Sequence, residues 1–358
     1  DSAGWLITLE YPSYHAIITY ADNRELRHEL YEAFSTRASE VGPQLGDTAG
    51  QWDNRAVMGE ILQLRQEVSK LLGFNNYAEH SLATKMADSV DQVIDFLREL
   101  GDKARPGAER DLAELRQYAS DTLGLTDLQS WDIAYTSEKL KTEKYAVNDE
   151  QLRPYFPLSR VMPGLFSVAQ RLFNVSIEEN TDIELWHKDA RAFDITKNGE
   201  LIARFLVDLY ARQNKRGGAW MDDCRGRKDL GDGVQLPVAY LVCNFTPPVG
   251  DKPALLTHSE VETLFHEFGH GLHHMLTTVP YPSVAGISGV AWDAVELPSQ
   301  IMENWCWERE ALDLISGHID SNEKLPDDLF NKMVAAKNFQ SGLFKCLKAL
   351  WCYITHDG

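Results

Sequence analysis

Residues 264–276 read LFHEFGHGLHHML, and within them His266-Glu267-Phe268-Gly269-His270 forms the pattern H-E-x-x-H. Four residues of α-helix turn through about 400°, which returns His270 to the face carrying His266, one turn along. Two imidazoles stacked in this way can share one ion. Imidazole nitrogen suits Zn²⁺, and a catalytic zinc takes three protein ligands and leaves a fourth position to water. Glu267 lies about 100° round the same turn, beside the metal face rather than on it. There its carboxylate can take a proton from a zinc-bound water, whose pKa the metal lowers from about 16 to about 7.

The surroundings of the motif predict a helix. Thr257 and Ser259 each stand three residues before a glutamate, Glu260 and Glu262, so either can open a capping box. Val261, Leu264, Phe265, Phe268 and Leu272 supply a side to bury. The bland alternative, histidines that merely fill a core or decorate a surface, does not ask for this setting. Gly269 costs about 1 kcal/mol in a helix interior relative to alanine. A glycine kept there predicts that another element packs closely over it.

The third ligand is expected from a second helix. Residues 292–307 read WDAVELPSQIMENWCW, in which Asp293, Glu296, Ser299, Gln300 and Glu303 form one polar stripe between apolar flanks. Glu296 is the predicted ligand, because a carboxylate among such flanks needs a partner and a metal is a good one. Asp293 and Glu303 are then expected to accept from the imidazole N–H groups and fix their tautomers. Pro298 falls inside this predicted helix, where its missing N–H has to be tolerated. His273 returns to the face of His266 and His270. A fourth ligand would close the site, so His273 is expected to support it or to pack.

Outward from these helices the chain is mostly helical, with a small β-rich stretch. Helices are expected over 54–72 and from Ser89 onward, the latter kinked or broken at Pro106-Gly107. Residues 190–196 and 201–209 read as strands joined by Asn198-Gly199, a strong hairpin signal, and 237–245 (PVAYLVCNF) as a third strand. Helix resumes over about 258–276, 292–310 and 327–354. Gly42-Pro43, Gly46-Asp47 and Pro154 to Pro157 mark loops, and Gly286 and Gly289 a flexible bridge between the two ligand helices. The expectation is a mainly α, α+β protein divided into a helical region, 1–175, and a catalytic region with the sheet and zinc helices, 176–358.

Composition narrows the partners. Among 358 residues, 35 Lys+Arg face 54 Asp+Glu, a net charge of −19. Nucleic acid and anionic membrane surfaces both ask for clustered positive charge, so neither is an expected partner. No run approaches the roughly eighteen apolar residues of a membrane span. No signal peptide is visible at the start, although the chain does not open on Met. Five scattered cysteines without C-x-x-C read as reduced thiols, and the expected location is cytoplasmic, or organellar in a eukaryote. No paired histidine suggests a cysteine nucleophile.

The segments LGFNNYA, WDIAY, DEQLRPYFP, YARQNKRGGAWMDDC, HEFGHGLHHML, GISGVAWDAVELPSQ and MVAAKN, with GWLITLEYPSY before them, together resemble the thimet-oligopeptidase family of zinc metallopeptidases. The resemblance runs in family order from residue 5 to about 340. It implies a helical, zincin-like endopeptidase for short, unstructured oligopeptides, with a small β-sheet beside the active-site helix. His266, His270 and Glu296 match the family's zinc ligands, and Glu267 its general base. The strand 237–245 is expected to be the edge that pairs with extended substrate. The family chain is longer, with an N-terminal helical part and a later His- and Tyr-bearing segment that nothing here matches, and the resemblance is expected to fade after about Phe344. Two alternatives stay open: a dipeptidyl carboxypeptidase of the same family, and a zinc- or peptide-binding fragment without turnover.

Overall fold

The structure, a computed structural model, describes residues 4–41, 52–248, 250 and 253–356. The loop signals at Gly42-Pro43 and Gly46-Asp47 lie outside the described residues. In chain order the helices begin with α1 (Tyr11–Tyr20), α2 (Arg24–Ser35), α3 (Arg55–Leu71), α4 (Tyr77–Leu82), α5 (Val90–Asp121), α6 (Ile133–Tyr145), α7 (Asp149–Leu152) and α8 (Leu158–Phe173). Among the described residues seven strands follow: β1 (Ser176–Glu179), β2 (Arg191–Lys197), β3 (Glu200–Tyr210), β4 (Trp220–Arg225), β5 (Lys228–Asp229), β6 (Val234–Gln235) and β7 (Val238–Phe245). The remaining helices are α9 (His258–Met275), α10 (Leu297–Glu303), α11 (Arg309–Ile315), α12 (Asp327–Ala336) and α13 (Ser341–His356).

These elements fall into two compact units, one of residues 1–146 and 335–358, the other of residues 147–334. Helix α8 thus groups with the sheet, although it precedes the change of pattern near residue 175. In the first unit α5 is capped by Ser89, whose side chain accepts from the Gln92 N–H, and it runs unbroken through Pro106. The expected break does not occur. Proline removes one ladder donor, and α13 packs along α5, with the Leu343 N–H donating to the Asp111 carboxylate. The same unit buries Asp132 with Arg27, and the half-exposed Arg24 joins them, at 2.7 Å each, in an ion cluster tying α2 to the start of α6.

The second unit holds the sheet, in the order β1-β2-β3-β7-β4, with β3 and β7 parallel and the other pairs antiparallel. The β2–β3 hairpin turns at Asn198 and Gly199, with φ of 53° and 80°, the paired positive values of a tight primed turn. Strand β7 alternates outward and buried side chains, sending Ala239, Leu241, Cys243 and Phe245 inward. Helix α9 packs on that inner face. Phe193, Phe205 and Phe268 stack and cross edges with Phe166, at centroid separations of 5.0–6.1 Å, and lock helices α8 and α9 to the sheet. Burying a phenylalanine is worth about 1.5–3 kcal/mol, so this cluster is a main source of the helix-on-sheet packing.

Three predicted elements change. Strand β7 is interior, flanked by β3 and β4, so it is not the edge available to a substrate; the edge beside α9 is β4. Its sequence, WMDDCR, lacks the alternation that marks a half-buried strand. The helix expected over 292–310 begins only at Leu297, passes into a tighter turn at Asn304–Trp307, and restarts at Arg309. Pro298 therefore sits in the first turn of α10, where a missing N–H costs nothing. The expected helix 327–354 likewise divides into α12 and α13, separated near Gln340, whose φ is 53°.

Candidate metal centre

Helix α9 starts at a capping box. The Thr257 side chain accepts from the Glu260 N–H at 3.1 Å, and the Glu260 carboxylate accepts from the Thr257 N–H at 2.8 Å. Of the two boxes the sequence permits, this one forms, and Glu262 is used elsewhere. Its carboxylate accepts from Trp307 Nε1 at 2.6 Å, while His258 Nε2 donates to the Cys306 carbonyl at 2.8 Å. These contacts clamp the chain beyond α10 against the first turns of α9.

Closer to the motif, α10 crosses α9 directly over Gly269. A Cβ built there would lie 2.7 Å from both Pro298 O and Ser299 Cα. The close approach predicted from the glycine is present, and the element that makes it is the one carrying Glu296. Gly286, in the bridge between α9 and α10, has a φ of 62° and sits against His274, with space for no side chain. The bridge is thus packed onto α9 where it passes His274.

Glu296 precedes α10 as its N-terminal flanking residue, and Ser299 Oγ donates to its carbonyl and its Oε2, each at 2.8 Å. The carboxylate so held reaches both histidines: Oε2 lies 3.1 Å from His266 Nε2 and 3.1 Å from His270 Nε2. One donor atom from each of the three residues falls within 4.8 Å of the others, the one such group of His, Cys, Asp or Glu among the described residues. The two rings are nearly perpendicular, at 84°, and both Nε2 atoms face the same Glu296 oxygen. A tetrahedral ion with bonds of about 2.0–2.1 Å sets neighbouring ligand atoms about 3.3 Å apart. Two nitrogens and one carboxylate oxygen at this spacing fit zinc, with room for one more ligand.

Outer contacts orient the set. His266 Nδ1 donates to Glu303 Oε1 at 2.6 Å, which turns the other ring nitrogen, Nε2, toward Glu296. Asp293 does not play the matching part, since it is exposed in the turn before α10 and His270 Nδ1 is buried without a hydrogen-bond partner. Burial holds the His270 pKa below its usual value, which favours the neutral imidazole a metal binds. Half-buried His273 stands outside the converging set.

Glu267 is buried, and burial pushes its carboxyl up to about 7, with nearby Glu296 adding to the rise while His266 and the Met221 N–H pull the other way. A carboxyl poised there can take and return a proton near neutrality. Its contact with Met221 brings in β4, the element sequence reasoning missed; no periodic signal marks it. Cys243 and Cys306 are buried, and burial raises both thiols well above their usual range, which makes them poor nucleophiles.

Residues 17–356 match the family described as Peptidase family M3. The match continues past Phe344, so the tail is not where the likeness ends. The chain is 57% identical to oligopeptidase A of Salmonella typhimurium over 96% of this chain and 50% of that protein. It is 58% identical to oligopeptidase A of Escherichia coli over 95% of this chain and 50% of that one. A dipeptidyl carboxypeptidase of Salmonella typhimurium is 35% identical over 94% of this chain and 48% of its own length. The chain spans about half the length of the curated relatives it matches.

Proposed function

The chain belongs to peptidase family M3, and from that membership and the geometry of α9 and α10 we propose that it is a zinc-dependent oligopeptidase acting inside short peptides. The observation that carries this reading is the meeting of His266 Nε2, His270 Nε2 and Glu296 Oε2 beside a buried Glu267. In this reading His266, His270 and Glu296 hold the ion and Glu267 is the general base. A zinc bound there supplies a Lewis acid for the attacking water and the scissile carbonyl. Glu267 accepts the proton that the water gives up and delivers it to the leaving amine, the two halves of general acid–base catalysis. Its raised carboxyl pKa suits both directions of transfer. Glu303 keeps the His266 ring turned inward, and Ser299 fixes one oxygen of Glu296.

The peptide itself would lie along β4. A sheet edge offers unpaired N–H and C=O groups to an extended chain, and β4 is the edge whose Met221 meets Glu267. This moves the proposed docking strand from β7 to its neighbour. The higher identity to oligopeptidase A than to dipeptidyl carboxypeptidase favours cleavage inside the peptide over removal of C-terminal dipeptides. Among the described residues no helix is long and apolar enough to cross a membrane. A cytoplasmic setting fits Cys224, Cys243, Cys306 and Cys346, all free thiols.

The test is zinc content and peptide cleavage measured on the same preparations. Wild type should bind one zinc and cut a peptide whose C-terminus is blocked, which a carboxypeptidase could not grip. Glu296→Ala should lose or weaken the zinc. Glu267→Gln should keep it while turnover falls by about 10²–10⁴-fold. Full turnover in Glu267→Gln would remove the base from the scheme, and zinc binding without any cleavage by wild type would leave a binding fragment.

A further inference from the structure

Strand β4 is an edge strand with two acidic residues and a bulge between Asp223 and Arg225, features that weaken a strand's hold on its sheet. Side chains from two other elements compensate. The β4–β7 register pairs Trp220 with Val242 and Met221 with Leu241, and continuing it places Gly218 opposite Asn244. The backbone ladder stops there, because Gly218 has a φ of 93° and turns away. Asn244 takes over with its side chain: Nδ2 donates to Gly218 O at 2.7 Å and to Arg216 O at 2.8 Å. One residue earlier, the Cys243 carbonyl accepts from Lys215 Nζ at 2.6 Å. The loop that delivers β4 is thus fastened to the end of β7 by consecutive residues. At the far end of the strand, the Arg225 carbonyl accepts from His274 Nε2 at 2.8 Å. His274 lies two helical turns beyond Glu267, on the side of α9 that faces the sheet, so the two anchors bracket the point where Met221 meets Glu267.

We propose that Asn244 is a positioning residue for peptide binding: its amide fixes the height of β4 along α9 and so aligns a peptide paired to that edge with Glu267. The proposal rests on the reading of β4 as the substrate edge. It assigns a role to a side chain that touches neither the metal ligands nor the base. The sharpest perturbation is Asn244→Asp, which changes one NH₂ into an oxygen of the same size and sets it against two carbonyl oxygens. Asn244→Ala removes both donors without adding charge.

Two readouts separate the possibilities. In the first, a peptide of about ten residues and one spanning only the scissile bond and its neighbours are compared. Asn244→Asp should lower kcat/KM for the long peptide by about tenfold or more, chiefly through KM, and leave the short peptide within about twofold at unchanged zinc content. Asn244→Ala should shift the same way and less. Equal losses on both peptides, or none, would overturn the proposal. In the second, hydrogen exchange is followed without substrate. The amides of residues 220–222 should exchange at least about tenfold faster in Asn244→Asp while those of α9 keep their protection. Unchanged exchange in β4 would overturn it as well. If wild type cleaves neither peptide, the peptidase reading fails, and the exchange result alone decides whether Asn244 holds the strand.

Discussion

Replacing Gly269 by alanine sets helix propensity against packing at the point where the two ligand helices cross. Alanine is favoured over glycine by about 1 kcal/mol in a helix interior. At this position, however, the added methyl would lie 2.7 Å from both Pro298 O and Ser299 Cα, about 0.7 Å inside the 3.4 Å onset of ordinary contact. Both are backbone atoms in the first turn of α10, so no rotamer change relieves them; the helix itself has to move. Glu296 precedes that turn and Ser299 holds its carboxylate, so the displacement carries Oε2 away from two nitrogens that it now meets at 3.1 Å. Overpacking of this kind costs about 1–3 kcal/mol, which exceeds the gain in propensity. The expected result is a net loss of stability in urea denaturation, with zinc affinity weakened about tenfold or more in competition with a chromophoric chelator. Gly59→Ala is the control. Gly59 lies within α3, and a methyl group added there would meet nothing within 4 Å, so the substitution should be neutral or stabilising by up to about 1 kcal/mol. A Gly269→Ala protein as stable as wild type and equally tight for zinc would refute the reasoning, because it would show that α10 is free to retreat without moving Glu296.

Glu303→Ala removes the acceptor that fixes the His266 tautomer and should weaken zinc binding by about 10–100-fold, read by the same chelator competition; affinity equal to wild type would mean the ring is held by packing alone. Burial by itself would raise the pKa of Asp208, but hydrogen bonds from Arg212, Lys215 and Trp186 outweigh it and hold the carboxyl well below its usual range. Because the folded value is depressed, the stability it brings is fully present above the unfolded value of about 3.9 and is lost as pH falls through the folded one. Asp208→Asn should therefore destabilise the protein at neutral pH by about 3–5 kcal/mol, since it leaves the buried Lys215 ammonium without its counter-charge. The gap from wild type should narrow as pH drops below about 4; a gap constant with pH would count against the assignment.

Much of this protein is written locally. The H-E-x-x-H spacing, the apolar side of α9, the Thr257 box and the Asn198-Gly199 turn involve residues within a few positions of one another, and backbone geometry at that range follows from the residues themselves. Glu296 was also legible, as a carboxylate on a polar stripe with apolar flanks, and Gly269 announced that something would lie over it. What lay over it was decided elsewhere. Pro298 became a helix start rather than an interior kink because α10 begins beside Glu296, and of two candidate acceptors only Glu303 reached an imidazole.

The sheet shows the division most clearly. Residues 238–245 read as a strand from their own composition, yet whether a strand is central or an edge depends on which partners come to lie on each side. Strand β4 pairs with β7 across residues 226–237, which carry a turn and a second small sheet, and its acidic, exposed sequence has no hydrophobic alternation to reveal it. The sequence by itself therefore determined the helix that carries the motif, the turn and the chemical identity of the side chains that converge at the candidate metal centre. Only the tertiary structure decided that β4 is the edge beside Glu267 and that Asn244 and His274 hold its two ends, because those bonds join groups far apart in the chain whose meeting depends on the packing of every element between them.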